Sequence, residues 1–233
     1  MYPESRQTIH MGINFIVSSM PVLNEPSKLR FQEFLHRYGI DFTQVKYGDS
    51  EIFVGREAPM RLDIKVAAMS PPSLGQLLIL APQPGCDLVL FTKEAEAIVK
   101  AFDSTWPAGK RQVISCDATL RDLFETTSEH AFKELWEERL GQSSDVLAVL
   151  GRPVLGGGLR FVMPPQPNEL EPVQIEVKIE SFLRNTRKIY VETQFKWPQP
   201  KAPGEPLDPT SRLKQVDEYI ETELLSFMTG GTQ

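Results

Sequence analysis

Residues 173–197, VQIEVKIESFLRNTRKIYVETQFKW, decide the fold. Apolar and polar side chains alternate in two runs, Val173 to Glu180 and Lys188 to Trp197, with a turn near Asn185 between them. A period of two is typical of antiparallel strands that bury one face and leave the other in water. The pattern therefore predicts a long β-hairpin, and its apolar face needs a cover.

The residues that follow are expected to supply this cover. After a proline-rich loop at 198–206, Asp208 and Pro209 are typical of a helix cap and a first helical turn. Apolar residues then recur every three or four positions, as one face of a helix requires: Leu213, Val216, Ile220, Leu224 and Phe227. We therefore expect a terminal helix packed on the apolar side of the hairpin.

The first 163 residues read as short strands mixed with helices. Strands are predicted at 13–17, 42–47, 51–54, 62–66, 77–80, 88–91, 112–116, 146–150 and 159–163. Helices are predicted from Asn24 to Gly39, from Thr92 to Phe102, from Asp117 to Phe124 and from Ser128 to Gly141, whereas residues 1–10 are polar and are expected to be loose. Together these patterns predict an α+β fold, with a largely antiparallel sheet and helices packed on one face.

The domain organisation is expected to change near residue 150. We predict an α+β N-terminal part at 1–150, followed at 151–233 by a glycine-rich strand, the long hairpin and the terminal helix. The prolines at 164, 165 and 167 suggest a linker, and two related α+β halves could meet between 140 and 168. One continuous domain is the alternative for a chain of 233 residues.

Composition limits the classes of function. A net charge of −6 disfavours general binding to nucleic acid or to anionic membranes, both of which need a basic surface. The chain shows neither a signal peptide nor an apolar run long enough to span a bilayer, so we expect a cytoplasmic protein. Cys86 and Cys116 are then expected to be free thiols.

Three short motifs resemble a known family. They are Leu159-Arg160-Phe161 in the strand after the glycines, Phe182-Leu183-Arg184-Asn185-Thr186-Arg187 at the hairpin turn, and Phe227-Met228-Thr229 at the end of the last helix. In this order of elements they resemble a sporadically distributed family of uncharacterised bacterial α+β proteins. The resemblance implies a bacterial, cytoplasmic protein and supplies no catalytic residue. The glycine triplet and the proline-rich loop depart from the family pattern.

A ligand site is one hypothesis for the segment around the glycine triplet. Gly156, Gly157 and Gly158 precede a strand, and Arg152 and Arg160 flank them, so a phosphorylated metabolite or a nucleotide could bind there. A phosphate loop normally continues into a helix with Lys-Ser or Lys-Thr, whereas Leu-Arg follows here. A tight turn or bulge before a strand is the preferred interpretation.

Catalytic and metal-binding patterns are missing from the sequence. The three histidines, His10, His36 and His130, are far apart, and neither cysteine stands in a motif that would activate it. Glu134 and Glu138 lie one helical turn apart, which fits a solvated helix face better than paired acid–base groups. We therefore expect no cofactor and no metal, and we lean against an enzyme.

Self-association is the leading functional hypothesis. Long strands leave sheet edges that must be paired, covered or charged. Five residues of the hairpin are candidate contacts, three of them basic residues at the turn: Arg184, Arg187, Lys188, Tyr190 and Trp197. The sequence thus predicts a non-catalytic interaction or scaffold protein that forms a homo-oligomer, most simply a dimer, through its sheet or hairpin and binds a protein partner. Nucleic-acid contact by the basic turn is a weaker alternative.

Overall fold

The computed structural model describes residues 1–18, 21–69, 73–107, 109 and 111–230. Its strands are β1 (Tyr2–Ser18), β2 (Gln44–Tyr47), β3 (Glu51–Arg56), β4 (Leu62–Met69), β5 (Leu74–Pro82), β6 (Val113–Glu125), β7 (Gly158–Met163), β8 (Gln174–Ser181) and β9 (Lys188–Trp197). Its α-helices are α1 (Glu25–Arg37), α2 (Leu88–Thr105), α3 (Ala131–Lys133), α4 (Pro209–Tyr219) and α5 (Leu225–Thr229). Helix α3 continues as a π-helical turn (Glu134–Arg139), another π-helical turn (Ile220–Leu224) joins α4 to α5, and a 3-10 helix covers Ser144–Leu150.

All nine strands form one antiparallel sheet in the order β2-β3-β4-β5-β1-β6-β9-β8-β7. This order is nearly symmetric about the central pair β1 and β6. Outward from β1 follow β5, β4, β3 and β2, and outward from β6 follow β9, β8 and β7. Each half has the chain order strand, helix, strands, helix, and the chain passes from the first half to the second between α2 and β6. Within the described residues, the second half lacks only a counterpart of β2.

The helices cover one face of this sheet, as the α+β prediction required. The largest fully buried side chains belong to both layers and include Phe15 of β1, Phe31 of α1, Phe91 and Phe102 of α2, and Phe124 of β6. Burying one such ring contributes about 1.5–3 kcal/mol, so the layer between sheet and helices supplies most of the stability. The opposite face of the sheet carries polar and half-buried residues, the usual arrangement for an antiparallel sheet.

The hairpin and its helical cover are confirmed. Strands β8 and β9 pair in one unbroken register from Gln174 opposite Lys196 to Ser181 opposite Ile189. The terminal helix, residues 209–229, packs on the apolar side: the rings of Tyr219 and Phe195 are 5.4 Å apart. Because period-two alternation leaves one face dry, this part of the fold followed directly from the sequence.

Two segments take a different secondary structure from the one predicted. Residues 88–91 begin α2 and do not form a strand, because the Asp87 carboxylate accepts a hydrogen bond of 2.9 Å from the Leu90 amide and caps the helix. Residues 117–124 belong to β6 and do not form a helix. The Asp117 carboxylate, which was predicted to cap a helix, instead accepts a hydrogen bond of 2.9 Å from the Asn14 side chain of the neighbouring strand.

The N-terminal residues and the segment before the glycine triplet also differ from prediction. Residues 2–10 belong to β1, where the neighbouring strand holds polar side chains; Arg6, for example, donates to the buried Asp122 at 3.1 Å. Residues 146–150 lie in the 3-10 helix and not in a strand. The predicted division at residue 150 stays a prediction, although β6, β9, β8 and β7 carry a single sheet across both parts. Among the described helices, none combines the length and apolarity that crossing a bilayer requires.

Candidate functional site

The sheet ends at β7, and this edge is the candidate functional site. Among the described residues, β7 pairs with β8 alone. The Ser181 amide donates to the Gly157 carbonyl at 3.0 Å, which fixes the alternation of hydrogen-bonded pairs along the ladder. By that alternation Leu159, Phe161 and Met163 bond to β8. The N–H and C=O groups of Gly158, Arg160 and Val162 therefore point away from the sheet.

Except for Arg160, the accessible side chains at this edge are apolar. Phe161 is 37% exposed and Val162 53% exposed, and Phe227 of α5 is 57% exposed. The rings of Phe161 and Phe227 meet edge to face, with centroids 5.5 Å apart. The edge thus combines free backbone groups with an exposed apolar surface, a combination that favours association.

A groove of about 460 Å³ lies between β7 and the terminal helix. Apolar and aromatic side chains line it, together with Arg160 and Glu223: Phe161, Val162, Met163, Val177, Tyr219, Leu224 and Phe227. The Tyr219 hydroxyl donates to the Met163 sulfur at 3.6 Å, and burial, with a smaller contribution from Glu223, raises the pKa of Tyr219. The groove can therefore accept an apolar side chain next to the free strand edge.

The other edge of the sheet is protected. Strand β2 has only four residues, and its Lys46 is exposed. Short edge strands and edge lysines are common devices against unwanted pairing. Strand β7 is longer and contains neither lysine nor proline, and the prolines at 164 and 165 end it. The contrast identifies β7 as the edge left available.

Arg160 belongs to a compensated row of charges on the open face of the sheet. The row crosses five strands in register, through His10, Arg121, Glu192, Lys178 and Arg160. Glu192 accepts from Arg121 at 2.6 Å and from Lys178 at 2.5 Å. Burial by itself raises the pKa of Glu192, but these two cations hold that pKa below its usual range.

The guanidinium of Arg160 is also occupied, because its Nε donates to Glu176 at 2.9 Å. Arg152 lines a different cavity, of about 580 Å³, together with His130 and Asp145. The two predicted arginine ligands therefore line different cavities.

The glycine triplet lets the chain approach β8 closely. A Cβ on Gly158 would lie 2.1 Å from the Ile179 carbonyl oxygen, and a Cβ on Gly156 would lie 2.6 Å from the Ser181 hydroxyl. The Gly157 amide donates to the same hydroxyl at 3.0 Å. This packing fits the preferred interpretation, a turn before a strand, and leaves the amide of Gly157 bonded within the chain.

The five predicted contact residues of the hairpin have different surroundings. Arg184 is exposed at the turn, Arg187 donates to the Ser128 carbonyl at 3.1 Å, and Lys188 donates to Gln7 at 3.1 Å. The half-buried Tyr190 donates to Glu192, and burial, followed by the charge of Glu192, raises its pKa. Trp197 is only 4% exposed and lies under the Arg212 guanidinium, 4.4 Å away, so it cannot reach a partner.

The hairpin also offers no free edge. Strand β9 pairs with β6 on its outer side, and β8 pairs with β7. The edge that can pair is one strand further out than the sequence suggested. The apolar run Phe161-Val162-Met163, ended by two prolines, is the signal that could have located it, since no side chain in the run is polar.

The residues considered for chemistry are engaged in packing or capping. Burial raises the pKa of both thiols, that of Cys116 the more strongly, so neither is an activated nucleophile. His130 caps α3 by accepting from the Lys133 amide. Within the described ranges, no group of three or more His, Cys, Asp or Glu side chains is placed to hold a metal ion.

Glu134 differs from the predicted solvated carboxylate. It is buried and accepts hydrogen bonds from the Met1 amino group, the Thr126 hydroxyl and the Thr127 amide. Burial by itself raises the pKa of Glu134, but these hydrogen bonds lower that pKa to about 2. The group therefore stays ionised, which suits a structural ion pair better than proton transfer near neutral pH.

Comparison with known proteins supplies no relative that settles a function. No family model matches the chain, and no curated protein matches its sequence. One solved structure that it matches is the di-domain ARO/CYC StfQ from the steffimycin biosynthetic pathway, at 9% identity over 93% of this chain and 94% of that chain. The TM-score is 0.21, too low to support an argument about fold or activity.

Proposed function

We propose that this chain is a non-catalytic interaction protein that forms a homodimer by pairing β7 of one copy with β7 of a second copy. The single observation that carries the proposal is the open, apolar edge at β7. The opposite edge strand has four residues and an exposed lysine, whereas β7 has six residues and its single charged residue, Arg160, is paired with Glu176. A two-fold dimer would use the free edge twice and leave only the protected β2 edges exposed.

The geometry of such pairing leaves two simple centres. A two-fold axis perpendicular to the sheet keeps each face on its own side, so opposing residues must share a face. Centring on Arg160 would place two guanidinium groups opposite each other, which is unfavourable. Centring on Phe161 places Arg160 opposite Val162 and Leu159 opposite Met163, and the two 160/162 pairs exchange about four backbone hydrogen bonds. We therefore favour the Phe161 centre.

The apolar surface beside the strand would strengthen this contact. A stable interface needs about 600 Å² or more from each partner, and a six-residue edge does not supply that area alone. Phe161, Val162 and Phe227 flank the edge and are accessible, and the groove next to them can receive side chains from the second copy. Two Phe161 rings in contact would add about 0.5–1.5 kcal/mol beyond the buried area.

The test is the mass of the particle in solution, measured by light scattering after size-exclusion chromatography. We expect a dimer at tens of micromolar, and we expect Val162→Lys to give a monomer, because it places a charge on the pairing edge. Leu170→Lys is the matched control, since this leucine is fully exposed outside any strand. A wild-type chain that stays monomeric at tens of micromolar would refute the proposal.

Cysteine cross-linking tests the register. With Cys86→Ser in the background, Phe161→Cys should form an intermolecular disulfide on mild oxidation. The reason is that residue 161 would face its own copy in a non-hydrogen-bonded pair, where Cα atoms are about 4.5 Å apart. Arg160→Cys is the control. Preferential cross-linking of Arg160→Cys would move the centre to Arg160.

A further inference from the structure

The symmetry of the sheet identifies a strand position that is empty beside β7. In the first half, the chain leaves α1 and forms β2, which then pairs with β3 at the edge. In the second half, the chain leaves the π-helical turn and forms the 3-10 helix at Ser144–Leu150, after which β7 begins. The 3-10 helix therefore occupies the place in the chain order where β2 stands in the first half.

The 3-10 helix leaves most of its apolar side chains in water. It spans seven residues, whereas runs longer than three or four are uncommon because the hydrogen-bond geometry is poor. Val149 is 88% exposed, Leu150 is 65% exposed, and Val146 is more than half exposed. A segment with this composition, D-V-L-A-V-L over 145–150, includes two β-branched residues and suits a strand at least as well.

We infer that residues 145–150 can leave the 3-10 conformation and add to β7 of the same chain as a tenth, antiparallel strand. The free N–H and C=O groups of Gly158, Arg160 and Val162 would supply the pairing edge. Residues 151–157 form the connection, and Gly151 already has a φ of 70°, which suits a turn. A seven-residue loop closes at a modest entropic cost, so the segment reaches β7 more easily than a second molecule does.

The tenth strand competes with the second copy, because one strand edge accepts one neighbour. This consequence rests on the proposed homodimer, whereas the strand itself does not. Addition in the same chain would shield Phe161 and Val162 in the monomer, and a second copy would have to displace the segment before it could pair with β7. Release of the segment would expose the edge and permit the dimer.

Amide hydrogen exchange, followed by NMR on the full chain, tests the inference at residue resolution. The probes are the amides of Arg160 and Val162, because they point away from β8 and exchange quickly unless a further strand pairs with them. The variant replaces Val146, Val149 and Leu150 by glycine, which disfavours a strand. Leu170→Gly is the control, because it removes a fully exposed apolar side chain outside this segment.

Dilution distinguishes the two possible neighbours of β7, which are residues 145–150 of the same chain and β7 of a second copy. We expect the Arg160 and Val162 amides to exchange at least about tenfold more slowly in the wild type than in the triple-glycine variant after both proteins have been diluted to the monomer, where no second copy can pair with β7. Fast exchange in both proteins, or equal protection in both, would overturn the inference. Protection that is lost on dilution would also overturn it, and would instead support pairing with a second copy.

Discussion

Replacing Gly158 by alanine should detach the start of β7 from the sheet. The new Cβ would lie 2.1 Å from the Ile179 carbonyl oxygen and 2.7 Å from the Glu180 Cα, both of which are backbone atoms of β8. Strand β8 is held between two neighbours, so it cannot withdraw, and the first residues of β7 must move by about 1 Å to restore an ordinary contact. That shift breaks the hydrogen bonds between Gly157 and Ser181 and separates Gly158 from Glu180.

The cost follows from the bonds that are lost. Two or three hydrogen bonds at about 1 kcal/mol each give a destabilisation of about 2–3 kcal/mol. Gly157→Ala is the matched control: its Cβ would lie 3.1 Å from an edge atom of the Phe132 ring, which can rotate away. The control should change stability by less than about 1 kcal/mol, because the loss of chain entropy in the unfolded state offsets the contact.

Urea unfolding followed by circular dichroism measures both variants. Equal stability of Gly158→Ala and Gly157→Ala would refute this reasoning. It would mean that the chain does not approach β8 as closely as described, and the glycines would again be candidates for a ligand site. A destabilised Gly158→Ala with an unchanged control would support the packing role.

Three further predictions concern the cover and the open face. Asp87→Ala should cost about 1 kcal/mol in urea unfolding by removing the cap of α2, and wild-type stability would argue against the cap. Arg212→Met should lower the free energy of unfolding by about 2 kcal/mol, because it removes the cation over the Trp197 ring and the ion pair with Glu171. Lys214→Met, at an exposed position of the same helix, should cause no measurable change. Burial, reinforced by Arg121, lowers the pKa of His10 to about 4, so the unfolded chain binds the proton more tightly and stability should fall as pH drops from 6.5 towards 4. After allowance for solvent screening, the free energy of unfolding should fall by about 1–2 kcal/mol over this range. His10→Gln should reduce this dependence of stability on pH, and an unchanged dependence would contradict its assignment to His10.

The elements that were predicted correctly are those whose pattern and packing agree. Strands β8 and β9 alternate without interruption, and the terminal helix presents one apolar face to them. The prediction of a strand at the start of α2 was wrong because Leu88 to Phe91 is a short apolar run that fits a strand or a buried helix equally well. What decided between them was the cap at Asp87, a local hydrogen bond that competes with β propensity.

The candidate site was harder to predict than the fold. Sequence reasoning placed the contact surface on the hairpin, because its strands are long and strongly patterned. Which strand lies at an edge depends on the order of strands in the sheet, and that order joins β9 to β6 across more than sixty residues of chain. No local pattern states this order, and the apolar run at 161–163, ended by two prolines, is only an indirect signal of the edge. Trp197 illustrates the point: the sequence makes it a candidate contact residue at the end of the hairpin, but Arg212 and the terminal helix cover it.

The two proposals meet at one physical requirement, the satisfaction of the outer edge of β7. Three residues there direct backbone groups away from the sheet, and the apolar side chains around them gain stability when water is excluded. The first half of the molecule meets the same requirement with β2, a short polar strand from its own chain. The second half has a segment of similar position but apolar composition, and it lies in a conformation that leaves its side chains in water. A protein that only needed to cap its sheet would be served by a polar strand like β2, whereas an apolar segment beside an apolar edge favours exchange between a neighbour from the same chain and one from a second copy.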